Sequence, residues 1–180
     1  MTIDAQAILD HLLGTPPLKL EDINSRKSGI YALYDHEHRP AYIGETTDFR
    51  HRIYQNHSSG DGNSHKFSTV YNAGRMFHSR KDPRTCGEDG KIAKALRTRF
   101  AREYCRAVIF EIPGLNRKEL KPIEARVLSI APAEAKRWNG RKAIQAFEPH
   151  ELVDKLLYDL NWDSSRLSAI LRQAERGGEG

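Results

Sequence analysis

Two short runs rich in aromatic and β-branched residues set the strongest constraint on this chain. They are Gly29-Ile30-Tyr31-Ala32-Leu33-Tyr34 and Ala41-Tyr42-Ile43-Gly44. Such residues fit a pleated, half-buried surface. Between them His36-Glu37-His38-Arg39-Pro40 is polar and ends in proline, which reads as a turn. Thr46, Thr47 and Asp48 can each cap a helix start. Phe49 and Ile53 then fall four apart on one face of a helix running to about Asn56. Arg52 adjoins Ile53 and so points about 100° away from that apolar face. Strand, turn, strand and helix bring two tyrosines side by side and aim an arginine near them.

The other segments supply helices and one further strand. Residues 2–13 read as a helix with Ile3, Ala7, Ile8 and Leu12 near one stripe, closed by Gly14. Residues 18–27 are extended or loop. Residues 58–90 read as long and irregular, rich in glycine, with few apolar anchors. A segment like this is either a solvated insertion or an arm that enters a nucleic-acid groove. Residues 91–104 form a helix with Ile92, Ala95, Leu96 and Phe100 as its apolar stripe, and 105–112 form a strand. Asn116 can cap a helix over 117–130, buried through Leu120, Ile123, Val127 and Ile130. Pro122 allows a later start, which would put Glu124 near a helix N-terminus, where the dipole favours a carboxylate. Asn139-Gly140 reads as a turn, and two helices follow over 149–160 and 164–175. The fold class expected is α+β, with a small central sheet of about three largely antiparallel strands, flanked by helices. The divisions expected are an N-terminal lead-in (1–27), a core (28–145) carrying a basic insertion (58–90), and a C-terminal helical extension (146–180).

The net charge of +5 is unevenly spread. Residues 50–106 carry 13 Lys and Arg against 5 Asp and Glu, and the rest carries 16 against 19. A polyanion is the natural partner of that middle segment. Lys66, Arg75, Arg80, Lys81, Arg84, Lys94 and Arg97 are the candidate contacts to DNA phosphates. The acidic tail argues against a separate DNA-binding module there and fits a helical brace or a homodimer contact. Cys86 and Cys105 are the only cysteines, with no CxxC pair, which argues against a zinc knuckle. The first ten residues carry two aspartates and no basic leader, and no apolar run approaches the ~20 residues of a membrane span. A cytoplasmic protein with free thiols is expected.

The tripeptides Gly29-Ile30-Tyr31 and Tyr42-Ile43-Gly44, followed by Arg52, resemble the core motif of the GIY-YIG nuclease superfamily. The resemblance covers residues 28 to about 139 and extends to Glu124 and Asn139. Within the superfamily the chain is most similar to small stand-alone type II restriction endonucleases, through Gly14-Thr15-Pro16, Lys91-Ile92-Ala93-Lys94, Cys105-Arg106-Ala107-Val108-Ile109-Phe110-Glu111 and Trp138-Asn139. It differs from them in the short turn between the two motifs. The resemblance implies a metal-dependent endonuclease that hydrolyses phosphodiester bonds of double-stranded DNA. It implies one Mg²⁺ or Mn²⁺ per site, held by Glu124. Arg52 would hold phosphate, its planar fork being suited to that task. Tyr31 would be the general base, Tyr42 would position water or phosphate, and Asn139 would orient Tyr31 or Glu124. Where many members of the family carry a histidine, one helical turn after the arginine, this chain has Asn56, with His57 one further; either the helix distorts there, or Asn56 substitutes, or that role is absent. No DxD, paired-carboxylate or HExxH pattern suggests a second metal. The competing readings are a non-catalytic nucleic-acid binder on the same scaffold and a nuclease toxin with less sequence preference.

Overall fold

The computed structural model describes residues 4–60, 65–140 and 144–177. The elements in chain order are α1 (Ala5–Gly14), β1 (Leu18–Lys19), β2 (Gly29–Tyr34), β3 (Pro40–Thr46) and a π-helix (Arg50–His57). Then come α2 (Lys66–Val70), α3 (Glu88–Tyr104), β4 (Arg106–Glu111), α4 (Arg117–Ile130), α5 (His150–Leu160) and α6 (Ser164–Gly177). The fold is α+β, with a small antiparallel sheet and several helices. The sheet has four strands rather than about three, in the order β1-β4-β2-β3. The additional strand is only two residues long and pairs Leu18 with Ala107 and Lys19 with Arg106. Too short to show alternation, it owes its existence to the edge that β4 offers. Among the described residues no helix is long and apolar enough to cross a membrane.

The chain divides into two compact units, each made of two segments. The first is Met1–Asn56 with Arg102–Lys142, and the second is His57–Ala101 with Ala143–Gly180. Residues of the expected insertion and of the C-terminal extension therefore belong to one unit.

In the first unit the sheet separates two environments, because successive side chains on a strand face opposite ways. Ile30, Ala32, Tyr34, Ile43 and Val108 face a core completed by Ile8, Leu9 and Leu12 of α1 and by Leu120, Ile123 and Val127 of α4. Tyr31 and its register partner Gly44 lie on the other face, and so does Tyr42, two residues before Gly44. The turn between β2 and β3 is held by Asp35, whose carboxylate accepts the N–H groups of Glu37 and Arg39 and pairs with Arg39 and Arg137. α4 starts at Arg117 with a capping box, in which Asn116 accepts from Lys118 and Glu119 while Glu119 accepts from the Asn116 N–H. Pro122 therefore sits inside the helix, and Glu124 is mid-helix rather than at its N-terminus. The helix dipole therefore does not favour that carboxylate.

In the second unit the described part of the expected irregular stretch carries short helices and buried anchors. Phe67 and Val70 on α2, together with Tyr71 and Met76, are fully or almost fully buried. Tyr71 packs against Phe100 of α3 and Phe147, with ring centroids 4.9 and 5.6 Å apart. α3 begins at Glu88 and buries Ala93, Leu96, Arg97, Phe100 and Ala101. Ile92 and Ala95, expected in its stripe, lie half-exposed and exposed. α6 is tied in by Gln173, which donates to the carbonyls of Phe77 and Thr85, and by Arg172 and Arg176, which both pair with Asp89.

Two expected DNA contacts are corrected by this packing. Arg97 is wholly buried and donates to Asn72 and to the Met76 carbonyl, so it faces no solvent phosphate. The Arg75 side chain is 16% exposed and is held by Glu148 and Asp154, at 2.5 Å each. Glu148 is itself buried and also accepts the Arg75 backbone N–H at 2.7 Å. Carboxylates of the acidic tail thus neutralise a cation counted as free in the sequence. Arg75→Ala is expected to strand Glu148 and to lower the unfolding free energy by about 3 kcal/mol. The denaturant midpoint measures it, and an unchanged midpoint would make the pair incidental.

Candidate active site

The site forms on the β2–β3 face, where two strands and one helix converge. Tyr31 and Tyr42 have ring centroids 6.0 Å apart, inclined at 45°. Phe49, at the start of the helical turn, meets the Tyr31 ring edge-on at 6.4 Å. Both motif glycines have a steric reason. A Cβ on Gly29 would run into the Phe110 carbonyl and the Phe49 ring, and one on Gly44 would meet both tyrosines.

Of the three candidate caps, Asp48 does most, accepting the His51 N–H at 2.8 Å. Its own N–H is held by the Thr46 hydroxyl. The helix that follows is a wide π-helix, a form often found at functional sites. Ile53 is fully buried, and the Arg52 Nε–H donates to the Tyr31 hydroxyl at 3.3 Å. Tyr42 is hydrogen-bonded both to Tyr31 and to Arg52. The three side chains chosen from sequence therefore make one hydrogen-bonded cluster.

Burial revises the roles within it. Tyr31 is fully buried, whereas Tyr42 is partly exposed. Burial, then the neighbouring Tyr42, pushes the Tyr31 phenol well above its ordinary value, against the pull of Arg52. Burial and then Glu124 also raise Tyr42, while Arg52 and the hydrogen bonds from Tyr31 and Arg52 act to lower it. Burial works against the Arg52 charge, but Tyr31 and Tyr42 outweigh it and keep its pKa above the ordinary value. Tyr31 thus fixes the arginine from inside the protein. Tyr42 is the hydroxyl that reaches the surface.

Glu124, half-buried on α4, is felt electrostatically by both tyrosines. Its pKa is raised by burial and then by Glu45, against Arg117, Lys121 and Arg52. Glu45 is the residue that the sequence reading missed. It directly follows the second tripeptide, and its side chain is only 7% exposed. The Arg117 Nε donates to it at 2.8 Å. Glu45 therefore lies close enough to oppose the ionisation of Glu124, although 79 positions apart in the chain. Only the alternation that turns Glu45 away from the tyrosine face hinted at a separate role.

Asn139 does not orient Tyr31 or Glu124. Its amide brackets Ile43, accepting the Ile43 N–H at 3.0 Å and donating to the Ile43 carbonyl at 2.7 Å. The Trp138 N–H donates to the Ala41 carbonyl at 2.9 Å. These groups cover the outer edge of β3 and hold the residue between Tyr42 and Gly44. His57 is wholly buried in the second unit, where its Nδ1 accepts the Lys66 N–H at 3.0 Å. A neutral ring so engaged carries its proton on Nε2. Asn56 lies within hydrogen-bond range of the His51 ring instead. The remaining candidate cations are on the second unit. Arg80, Lys81 and Arg84 are exposed, with Arg84 chelating Asp82, and Lys66 and Lys94 are half-exposed.

Among the described residues no three His, Cys, Asp or Glu side chains cluster as a metal cage. Glu124 with Glu45 nearby is nonetheless a hard oxygen donor set. It suits an ion such as Mg²⁺ or Mn²⁺, held through one or two carboxylates while keeping waters or substrate phosphate oxygens. No family model, no curated protein and no solved structure matches the chain.

Proposed function

We propose that the protein is a metal-dependent endonuclease that hydrolyses phosphodiester bonds in DNA, most similar in its site to GIY-YIG restriction-type enzymes. The observation that carries this reading is the cluster of Tyr31, Tyr42 and Arg52, joined by hydrogen bonds and lying within the field of Glu124. A permanent cation, two hydroxyls and a half-buried carboxylate are what in-line displacement at phosphorus demands.

Arg52 binds a non-bridging phosphate oxygen and offsets charge as it builds there. Tyr31 and the π-helix keep its fork from swinging away. Tyr42 orients the attacking water and, as its phenolate, takes the water's proton to become the phenol; Arg52 favours that phenolate against burial and Glu124. Glu124, with Glu45 in electrostatic reach, would hold the divalent ion. When bound, that ion supplies Lewis-acid polarisation of the phosphate. Asn139 keeps Tyr42 in register through Ile43.

Plasmid DNA incubated with Mg²⁺ or Mn²⁺, and with a chelator as control, tests the reading. Cleavage that needs the ion and yields ends at a recurring sequence is the expected result. Cleavage without sequence preference would point to a toxin-like nuclease. Binding without cleavage under every metal would favour the non-catalytic binder. Tyr42→Phe is expected to lower kcat by more than Tyr31→Phe does, and the reverse order would return the base to Tyr31. Duplex affinity is expected to fall steeply with added salt as counterions are released, measured by anisotropy at several ionic strengths. A flat response would remove the phosphate-binding reading.

A further inference from the structure

The second unit holds a cleft of about 310 Å³ lined by Lys91, Ile92, Ala95 and Arg99 of α3, by Leu160 and Trp162 after α5, and by Arg166 of α6. Lys91, Ala95 and Arg99 recur every fourth residue, so they form one row along the helix, with the two cations about 12 Å apart at its 1.5 Å rise. Ala95 between them is small and leaves the groove open. Trp162 is half-exposed, with the Arg166 guanidinium 5.8 Å from its ring centroid.

Among the described residues no carboxylate lines this cleft. Lys91 pairs with Glu88, and Arg166 approaches Asp163 at 3.7 Å, but the four side chains are 57–82% exposed. Exposed pairs of this kind are worth little and yield readily to a phosphate. Arg99 is exposed and has no ion-pair or hydrogen-bond partner among the described residues.

We propose that this cleft binds a single-stranded stretch of nucleic acid, with phosphates on Lys91, Arg99 and Arg166 and a base against Trp162. The proposal rests on the nucleic-acid reading given above. Cations tracking a backbone beside an aromatic ring are the two elements of single-strand recognition. A duplex, whose base faces are stacked away, has no ring face to offer Trp162. Net charge along the tail argues against a nucleic-acid role for residues 148–180. Folding overrides it by setting Trp162 and Arg166 against the basic row of α3, while Glu148 and Asp154 of the tail are engaged at Arg75.

The test uses the full-length protein in a chelator, so that nothing is cut, with a fluorescein-labelled single-stranded oligonucleotide and its duplex. Arg99→Glu combined with Arg166→Glu is expected to weaken single-strand binding at least tenfold. It should also flatten the salt slope by about 1.4, for two lost phosphate contacts. Lys118→Glu combined with Arg126→Glu, on exposed positions of α4, should change it less than about twofold. Trp162→Ala should cost roughly tenfold. Oligonucleotide should quench the wild-type tryptophan emission and lose that effect in Trp162→Phe. If the wild type binds but both charge reversals behave alike, the cleft assignment is wrong while the nucleic-acid reading stands. A loss confined to the duplex also overturns it. If the wild type binds neither oligonucleotide, both fall. If it binds, loses affinity as described and yet cuts nothing with metal, the cleft stands and the nuclease reading fails.

Discussion

Glu124→Ala is expected to slow DNA cleavage by about 10²- to 10⁴-fold, the range typical of losing a key catalytic group. The fold should persist. Glu124 lies mid-helix on α4, off the buried stripe of Leu120, Ile123 and Val127, and alanine is the better helix former. Affinity for DNA should persist or rise, because a carboxylate near the phosphates has gone. Glu45→Gln is expected to have a smaller effect, through the positioning and charge of its neighbour. It also frees Arg117, which is 71% exposed and can turn to water. Single-turnover cleavage with Mg²⁺, alongside thermal melting, checks both. Wild-type rates in Glu124→Ala would remove the carboxylate from the mechanism.

Gly44→Ala is the second change expected to act strongly, and it does so without touching a polar group. A Cβ there would lie 2.6 Å from the Tyr42 ring and 2.8 Å from both the Tyr31 ring and its hydroxyl. Neither tyrosine is a flexible chain end that can swing aside, since Tyr31 is fully buried and both are hydrogen-bonded to Arg52. Overpacking of this kind costs about 1–3 kcal/mol. Displacing the tyrosines by even a fraction of their contact distance should lower cleavage by roughly 10²-fold. Gly14→Ala is the control. It ends α1 with nothing within 4 Å of the added carbon, and it should leave both stability and cleavage near wild type. Equal behaviour of the two variants would mean that the tyrosine pair tolerates displacement.

Much of the first unit can be read directly from local chemistry. Aromatic and β-branched runs become β2 and β4, the Asn116 cap starts α4, and the polar residues before Pro40 make the turn. The buried face of α3 was legible only in part: Leu96 and Phe100 lie in it, but Ala93, Arg97 and Ala101 take the places expected of Ile92 and Ala95. Charge alone misled there, because a basic residue on a helix is usually solvated. Arg97 instead meets Asn72 and the Met76 carbonyl, partners 25 and 21 positions away. Arg75 is the same case, matched by Glu148 and Asp154 from the far end of the chain.

The sequence by itself determined the α+β class, the pairing of Tyr31 and Tyr42 on one sheet face, and the nearness of Arg52. Each depends on spacing within a few dozen residues, where strand alternation, turn length and helical period act directly. Only the tertiary structure decided that Tyr31 is sealed and Tyr42 accessible. It likewise decided that Asn139 serves the edge of β3, that Glu45 acts electrostatically on Glu124, and that Arg75 is held by carboxylates of the tail. Burial and long-range charge pairing depend on which distant segments pack together, and no local pattern encodes that packing.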